Sequence, residues 1–162
     1  MGSGQEGVNM NLAIEIDNKH FTCRVAAIIL VKNQILMVKH KDYPCYYTVG
    51  GKVKINESTE DAIIREIKEE TGIDYEIENL SFVQERFFNF NNQEQHEIVF
   101  YYKTKENINT KNLNNKYTDQ GENEMMYLLD INNLSNFNIV PTFFKEIQLN
   151  NISGLKHIVT RE

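Results

Sequence analysis

The stretch "NESTEDAIIREIKEETGI", Asn56 to Ile73, constrains the fold of this chain more than any other, because it shows where a helix starts, which side is buried and where it stops. Ser58 or Thr59 can cap the first turn by accepting from backbone N–H groups, and Glu60 and Asp61 suit the positive end of the helix dipole. Gly72 stands where a left-handed residue ends a helix. The expected helix runs from Thr59 to Thr71. At about 100° per residue, Ile63, Ile64, Ile67 and Thr71 share one face, the face for the core. Glu66, Glu69 and Glu70 converge on the adjoining side, where Ala62 leaves space beside them.

That acidic face works against the helix. Like charges three and four positions apart each cost roughly 0.2–0.5 kcal/mol, and acids in the last turn meet the negative end of the dipole. Arg65, four positions before Glu69, can fix one carboxylate but cannot neutralise three. Convergent carboxylates without Cys or His suit a hard, oxygen-preferring cation such as Mg²⁺ or Mn²⁺, which is usually completed by waters and substrate phosphates. A solvated charged face is the competing reading, and for an isolated "EIKEE" it is the commoner one.

The flanking chain reads mainly as strands. "FTCRVAAIILV" (Phe21 to Val31) and "ILMVKH" form an expected antiparallel pair, and "KDYPCYYTVGG" leads through Gly50 and Gly51 into the helix. "LSFVQERFFNF" and "HEIVFYYKT" are two long strands around the turn "NNQEQ". The polar, Asn-rich segment Lys105 to Asn123 reads as a surface loop and "MMYLLDI" as a strand. "PTFFKEIQL" begins a second helix, with Pro141 in its first turn. The expected fold is therefore α/β (α+β), a mixed β-sheet between helices.

At 162 residues the chain suits one domain, assigned here to residues 10–162. "MGSGQEGVN" (residues 1–9) reads as a tag scar or disordered tail. The apolar run Val25 to Val31 is far shorter than the ~20 residues of a membrane span, so no membrane partner is expected. Cys23 and Cys45 lack a paired spacing and are expected as unpaired thiols, in keeping with a cytoplasmic protein. A net charge of −6 without a basic cluster argues against a nucleic-acid polymer as main partner.

Gly51 to Ile73 resembles the signature of the Nudix hydrolases: Gly51, five residues, Glu57, seven residues, Arg65-Glu66, aliphatic Ile67, one residue, Glu69-Glu70, one residue, Gly72 and aliphatic Ile73. The resemblance implies a Nudix-like α/β/α sandwich and hydrolysis of a nucleoside diphosphate linked to another group, with Mg²⁺ or Mn²⁺. It implies Glu66, Glu69 and Glu70 as metal ligands, with the carbonyl oxygen of Gly51. It also implies that Arg65 orients a carboxylate, that Glu57 braces the loop against the helix and that Gly72 is structural. Glu69 is the residue chosen as base. Many family members carry Trp, any residue, Leu-Pro-Gly-Gly before this segment, where this chain has "YYTVGG". Without the proline a less rigid loop is expected.

Glu122 or Glu124 is a candidate for a late-loop metal ligand or base. Arg24 and Lys39 are candidates for phosphate binding, beside Gly50 and Gly51, as charge-assisted donors. Strand alternation favours core packing over base stacking for Tyr47, Phe87, Phe88 and Phe90. Glu97 begins a strand without an evident role, and His157 is assigned none. The expected activity is metal-dependent pyrophosphohydrolysis of a small nucleotide, by a monomer or homodimer. The alternative is an inactive nucleotide-binding or regulatory module, which would predict erosion at Arg65, Glu69 or Glu70.

Overall fold

A computed structural model describes residues 10–162; the tail assigned to residues 1–9 lies outside the described residues. The strands are β1 (Ala13–Ile16), β2 (Lys19–Ile28), β3 (Leu30–Val31), β4 (Gln34–His40), β5 (Tyr46–Thr48) and β6 (Gly50–Lys52). After helix α1 (Thr59–Thr71) come β7 (Ile77–Phe90), β8 (Gln93–Thr104), β9 (Lys116–Thr118), β10 (Gly121–Asp130), β11 (Ile139–Val140) and β12 (Lys156–Arg161).

They form two mixed sheets, ordered β1-β2-β8-β7-β12 with β6 also on β2, and β11-β5-β4-β10-β9 with β3 also on β4. The pairs β2–β8, β7–β12 and β5–β11 are parallel and the others antiparallel. This is the expected α+β class.

The apolar run at Val25 explains how two cores arise. Val25, Ala27 and Ile29 join one cluster with Leu36, Val38, Ile63, Ile67 and Tyr102, whereas Ala26 and Ile28 join another with Ile35, Met37, Phe82, Tyr101 and Phe144. Alternate residues of β2 and β4 therefore face opposite cores, as the two-residue period of a strand requires. Helix α1 covers the first core. Short 3-10 segments at Ile131–Asn136, Thr142–Glu146 and Leu149–Asn151 close the second.

Four expectations need adjustment. The hairpin of Phe21–Val31 with "ILMVKH" is confined to β3 and β4; β2 pairs instead with β1, β6 and β8, because the chain passes between sheets at Ile29. The segment after Pro141 is no α-helix: Phe143, Phe144 and Leu149 are all buried, and the chain is extended at Ile147. Anchoring adjacent aromatics against Phe82 and Tyr101 outweighs the weak stability of so short a helix. The turn "NNQEQ" contracts to Asn91-Asn92, both at positive φ, as a two-residue hairpin demands. Lys105 to Asn123 contains a 3-10 turn and β9, and buries Thr110 and Leu113, with Thr110 Oγ1 2.6 Å from the Tyr75 hydroxyl.

Helix α1 spans Thr59–Thr71 as its signals predict. Asp61 N donates to Ser58 Oγ at 3.0 Å, and Gly72 closes the helix at φ 74°. Its buried arc is displaced from the expected one: Ile64 is exposed while Ala62 and Glu70 are buried, because β6 packs over the acidic side. Ser58→Ala, which removes the cap, should destabilise the protein by about 1 kcal/mol and lower Tm by about 3 °C in thermal denaturation. An unchanged Tm would show that packing alone sets the start of this helix.

Candidate active site

The site begins where β6 meets β2, with Ala26 opposite Gly50, Val25 opposite Gly51 and Arg24 opposite Lys52. A Cβ at Gly50 would collide with the Val25 carbonyl oxygen, and one at Gly51 would stand 2.5 Å from the Glu66 carboxyl carbon. Two adjacent residues without side chains thus let a strand and a carboxylate approach the same backbone. At Val49, where the lack of a proline predicts a less rigid loop, the side chain is fully buried and the carbonyl oxygen accepts from Ala27 N at 2.8 Å. Sheet pairing supplies the rigidity.

Arg65 ties this loop to the helix. Its Nε and Nη2 donate to the two Glu57 oxygens at 2.7 and 2.8 Å, and Nη2 also donates to the Lys52 carbonyl at 3.1 Å. Its Nη1 donates to Glu66 Oε1 at 2.8 Å and more weakly to Glu69 at 3.3 and 3.4 Å. Glu57 accepts in addition from Lys54 N at 3.1 Å. The hydrogen bond from Arg65 holds the Glu57 carboxyl below its ordinary value. Burial raises Glu66, against the opposing pull of Arg65.

Glu70 lies deeper, with 7% of its surface exposed. Its Oε1 accepts from Gly50 N at 3.3 Å, whereas its buried Oε2 has no partner among the described residues. Burial pushes its carboxyl up to about 8; Gly50 opposes this, and the nearby charges of Glu124 and Glu66 add to it. A buried, unpaired carboxylate oxygen is costly, and beside two further acids it fits a hard cation. Among the described residues no three acidic, His or Cys side chains converge on one point, since Arg65 holds Glu66 and Glu69 while Glu70 turns to Gly50. Glu66, Glu69, Glu70 and the carbonyl oxygen of Gly51 stay the groups that the sequence nominates for a metal ion.

The two late-loop candidates separate. Glu124 accepts from the Tyr47 hydroxyl at 3.0 Å and acts electrostatically on Glu70. Glu122 is exposed and makes no hydrogen bond or ion pair with the described residues. Arg24 lines a cavity of about 980 Å³ to which both sheets contribute, together with Gly50, Lys52, Tyr47 and Thr48. Lys39 does not line it; its ammonium lies over the Tyr46 ring at 5.1 Å.

Phe88 and Phe90 border this cavity, so alternation misplaced them in the core, whereas Tyr47 borders it and also packs against the first core as expected. Phe87, on the opposite face of its strand, stacks on His96. Arg86 and Glu97 also line the cavity, and sequence reasoning gave neither a role. For Arg86 the available signal was the one that marked Arg24: a lone cation inside an apolar strand. Exposed His157 pairs with half-buried Glu85, and Cys23 and Cys45 are free.

With the geometry in hand, the comparisons are specific. Residues 21–143 match the NUDIX domain. The chain belongs to the Nudix family. Over 64 residues it is 41% identical to an ADP-ribose pyrophosphatase of Methanocaldococcus jannaschii, covering 38% of each chain. Over 49 residues it is 51% identical to a putative 8-oxo-dGTP diphosphatase of Bacillus subtilis, covering 28% of this chain and 33% of that one. Each match therefore spans well under half of the relative. The fold is similar to the MutT protein of Bacillus halodurans (TM-score 0.62, 16% identity, 84% and 89% of the two chains). It is also similar to a NUDIX hydrolase of Clostridium perfringens (TM-score 0.56, 21% identity, 77% and 92%). No helix among the described residues is long and apolar enough to cross a membrane.

The raised carboxyl of Glu70 has a consequence for stability. Because its value rises from 4.5 to about 8 on folding, the folded chain retains a proton that the unfolded chain releases. The resulting stability is complete below 4.5 and is lost as pH climbs through 8. Glu70→Gln keeps an acceptor for Gly50 and lacks this loss. In chelator, the Tm of Glu70→Gln should gain steadily on wild type between pH 5 and pH 9; a constant difference would contradict the assignment.

Proposed function

We propose that this chain hydrolyses the diphosphate linkage of a small nucleoside diphosphate derivative by attack of water on phosphorus, with Mg²⁺ or Mn²⁺ at the glutamates. The observation that carries this reading is the buried Glu70 Oε2, unpartnered among the described residues, on a carboxylate that accepts from Gly50 N where that glycine also lines the cavity. The names of the relatives, a pyrophosphatase and a putative diphosphatase, support the same reaction class.

Glu66, Glu69, Glu70 and the Gly51 carbonyl would hold the ion. When bound, such an ion neutralises diphosphate oxygens and acidifies water. Arg65 positions Glu66 and Glu69, and Glu57 fixes Arg65 from the loop side. Glu69, with the most exposed carboxylate among the acids paired with Arg65 and the longest contact to it, is our choice for taking the proton of the attacking water. Arg24 faces the cavity beside Lys52 and is placed to donate to a substrate phosphate, and Glu124 extends the acid set behind Glu70.

Phosphate or nucleoside monophosphate release should be measured over nucleoside triphosphates, ADP-ribose, dinucleoside polyphosphates and nucleotide sugars. Wild type with Mg²⁺ or Mn²⁺ should turn over at least one class, chelator should abolish the activity, and Glu69→Gln should slow it by a factor of about 100 or more. Binding of these substrates without turnover would overturn the catalytic reading in favour of a nucleotide-binding module.

A further inference from the structure

The proposed hydrolysis leaves Glu97 and Arg86 unused, although both line the cavity that Arg24 and Gly50 also line. Parallel pairing sets Glu97 of β8 beside Thr22 of β2, and antiparallel pairing sets Arg86 of β7 on its other side. Their side chains are 14% and 16% exposed, so both charges are set into the cavity wall.

Their hydrogen bonding is unequal. Arg86 Nη2 and Nε donate to Glu162 at 2.9 and 3.3 Å, and its guanidinium carbon lies over the Phe88 ring, 3.9 Å from the centroid. Its Nη1 lies 3.6 Å from Glu97 Oε2, beyond hydrogen-bond length. Among the described residues the Glu97 carboxylate accepts no hydrogen bond. Neutralising Arg86 does not require it, since Glu162 does so at closer range. The Glu97 oxygens face the cavity rather than being sealed from it, so the donors of a ligand can reach them.

The wall therefore presents two free acceptor oxygens next to one guanidinium nitrogen with N–H groups to spare. Its complement has two adjacent donors followed by an acceptor. Guanine has that edge: the 2-amino group and N1–H donate, and O6 accepts. Adenine supplies one amino donor and would leave a carboxylate oxygen unpaired. Cytosine, with one amino donor on that edge, would likewise leave a carboxylate oxygen unpaired.

We infer that Glu97 and Arg86 form the base-reading end of the cavity and select nucleotides carrying a 2-amino-6-oxopurine, the guanine class. This rests on the reading that the cavity takes a nucleotide with its diphosphate at the glutamates. The layout suits it. Thr22 and Arg24 project from the same face of β2 about 7 Å apart, with Glu97 beside Thr22 and the Gly51 strand beside Arg24. The diphosphate lies at one end and the base at the other. Phe90 and Tyr43, each about half exposed on the cavity border, offer ring faces for stacking.

The test is equilibrium binding, with Mg²⁺, of the non-hydrolysable α,β-methylene diphosphates of guanosine, inosine, adenosine and 8-oxoguanosine, beside turnover of the corresponding triphosphates. Inosine lacks only the 2-amino donor. Wild type should bind the guanosine compound about 10-fold more tightly than the inosine one, and Glu97→Gln should shrink that ratio to about 2. Guanosine and 8-oxoguanosine share the edge. Tighter binding of the latter assigns the cavity to the oxidised base, and equal binding assigns it to guanine nucleotides at large. Should Glu97→Gln not fold, Glu97→Asp, which withdraws the carboxylate by one methylene, gives the same ratio. Equal binding of guanosine and inosine by wild type, or an undiminished ratio in the variant, overturns the inference. Guanosine-selective binding without turnover leaves it standing and removes only the hydrolytic reading.

Discussion

The organisation of this site depends on one guanidinium. Arg65 is the point where the glycine strand, the loop that follows it and helix α1 are joined, through the Lys52 carbonyl, Glu57, and Glu66 with Glu69 respectively. A lysine could not do this, because the work requires several donors in a fixed plane, with a bidentate face for Glu57. The junction is largely withdrawn from water, so its hydrogen bonds are strong and its loss would leave carboxylates uncompensated. Two glycines complete the arrangement by letting β6 lie against β2 while an acid reaches over it.

The same geometry places cost and function together. Three carboxylates near a helix C-terminus oppose the helix, and one of them is buried with an oxygen unsatisfied. The fold tolerates this because α1 is stabilised elsewhere, by the Ser58 cap, by Gly72 and by Ala62, Ile63 and Ile67 in the first core. Lys68 adds a cation at the last turn, donating to the Gly72 carbonyl and to Asp74. A cation at the acids would relieve strain that the apolar contacts otherwise carry.

Local signals were legible wherever chemistry and backbone need lie within a few residues of each other. The helix limits, the shared side of the acids, the glycine approach and the existence of a turn at Asn91-Asn92, though not its length, are such cases. Errors arose where neighbours in space decide. The run Val25 to Val31 looked like one strand, yet it divides its alternate residues between two cores and then changes sheet. "PTFFKEIQL" has a helical look, but burying Phe143, Phe144 and Leu149 fixed a shorter coil. β1 and β12 escaped notice because edge strands need little apolar pattern; Ile14 and Ile16 are exposed.

What can be known from the order of residues alone is a metal-type acid face on a capped helix, held by Arg65 and met by two glycines, since a helix turn and a tight loop are local objects. Which other side chains belong to the site is a matter of sheet pairing. Parallel β2–β8 and antiparallel β7–β8 registers bring Arg24, Thr22, Glu97, Arg86 and Phe88 to one cavity wall, and β10 brings Glu124 rather than Glu122 to Tyr47. No periodicity along the chain encodes those meetings. Each follows from hydrogen-bond registers between segments distant in sequence, and a shift of one residue would turn every one of these side chains to the opposite face.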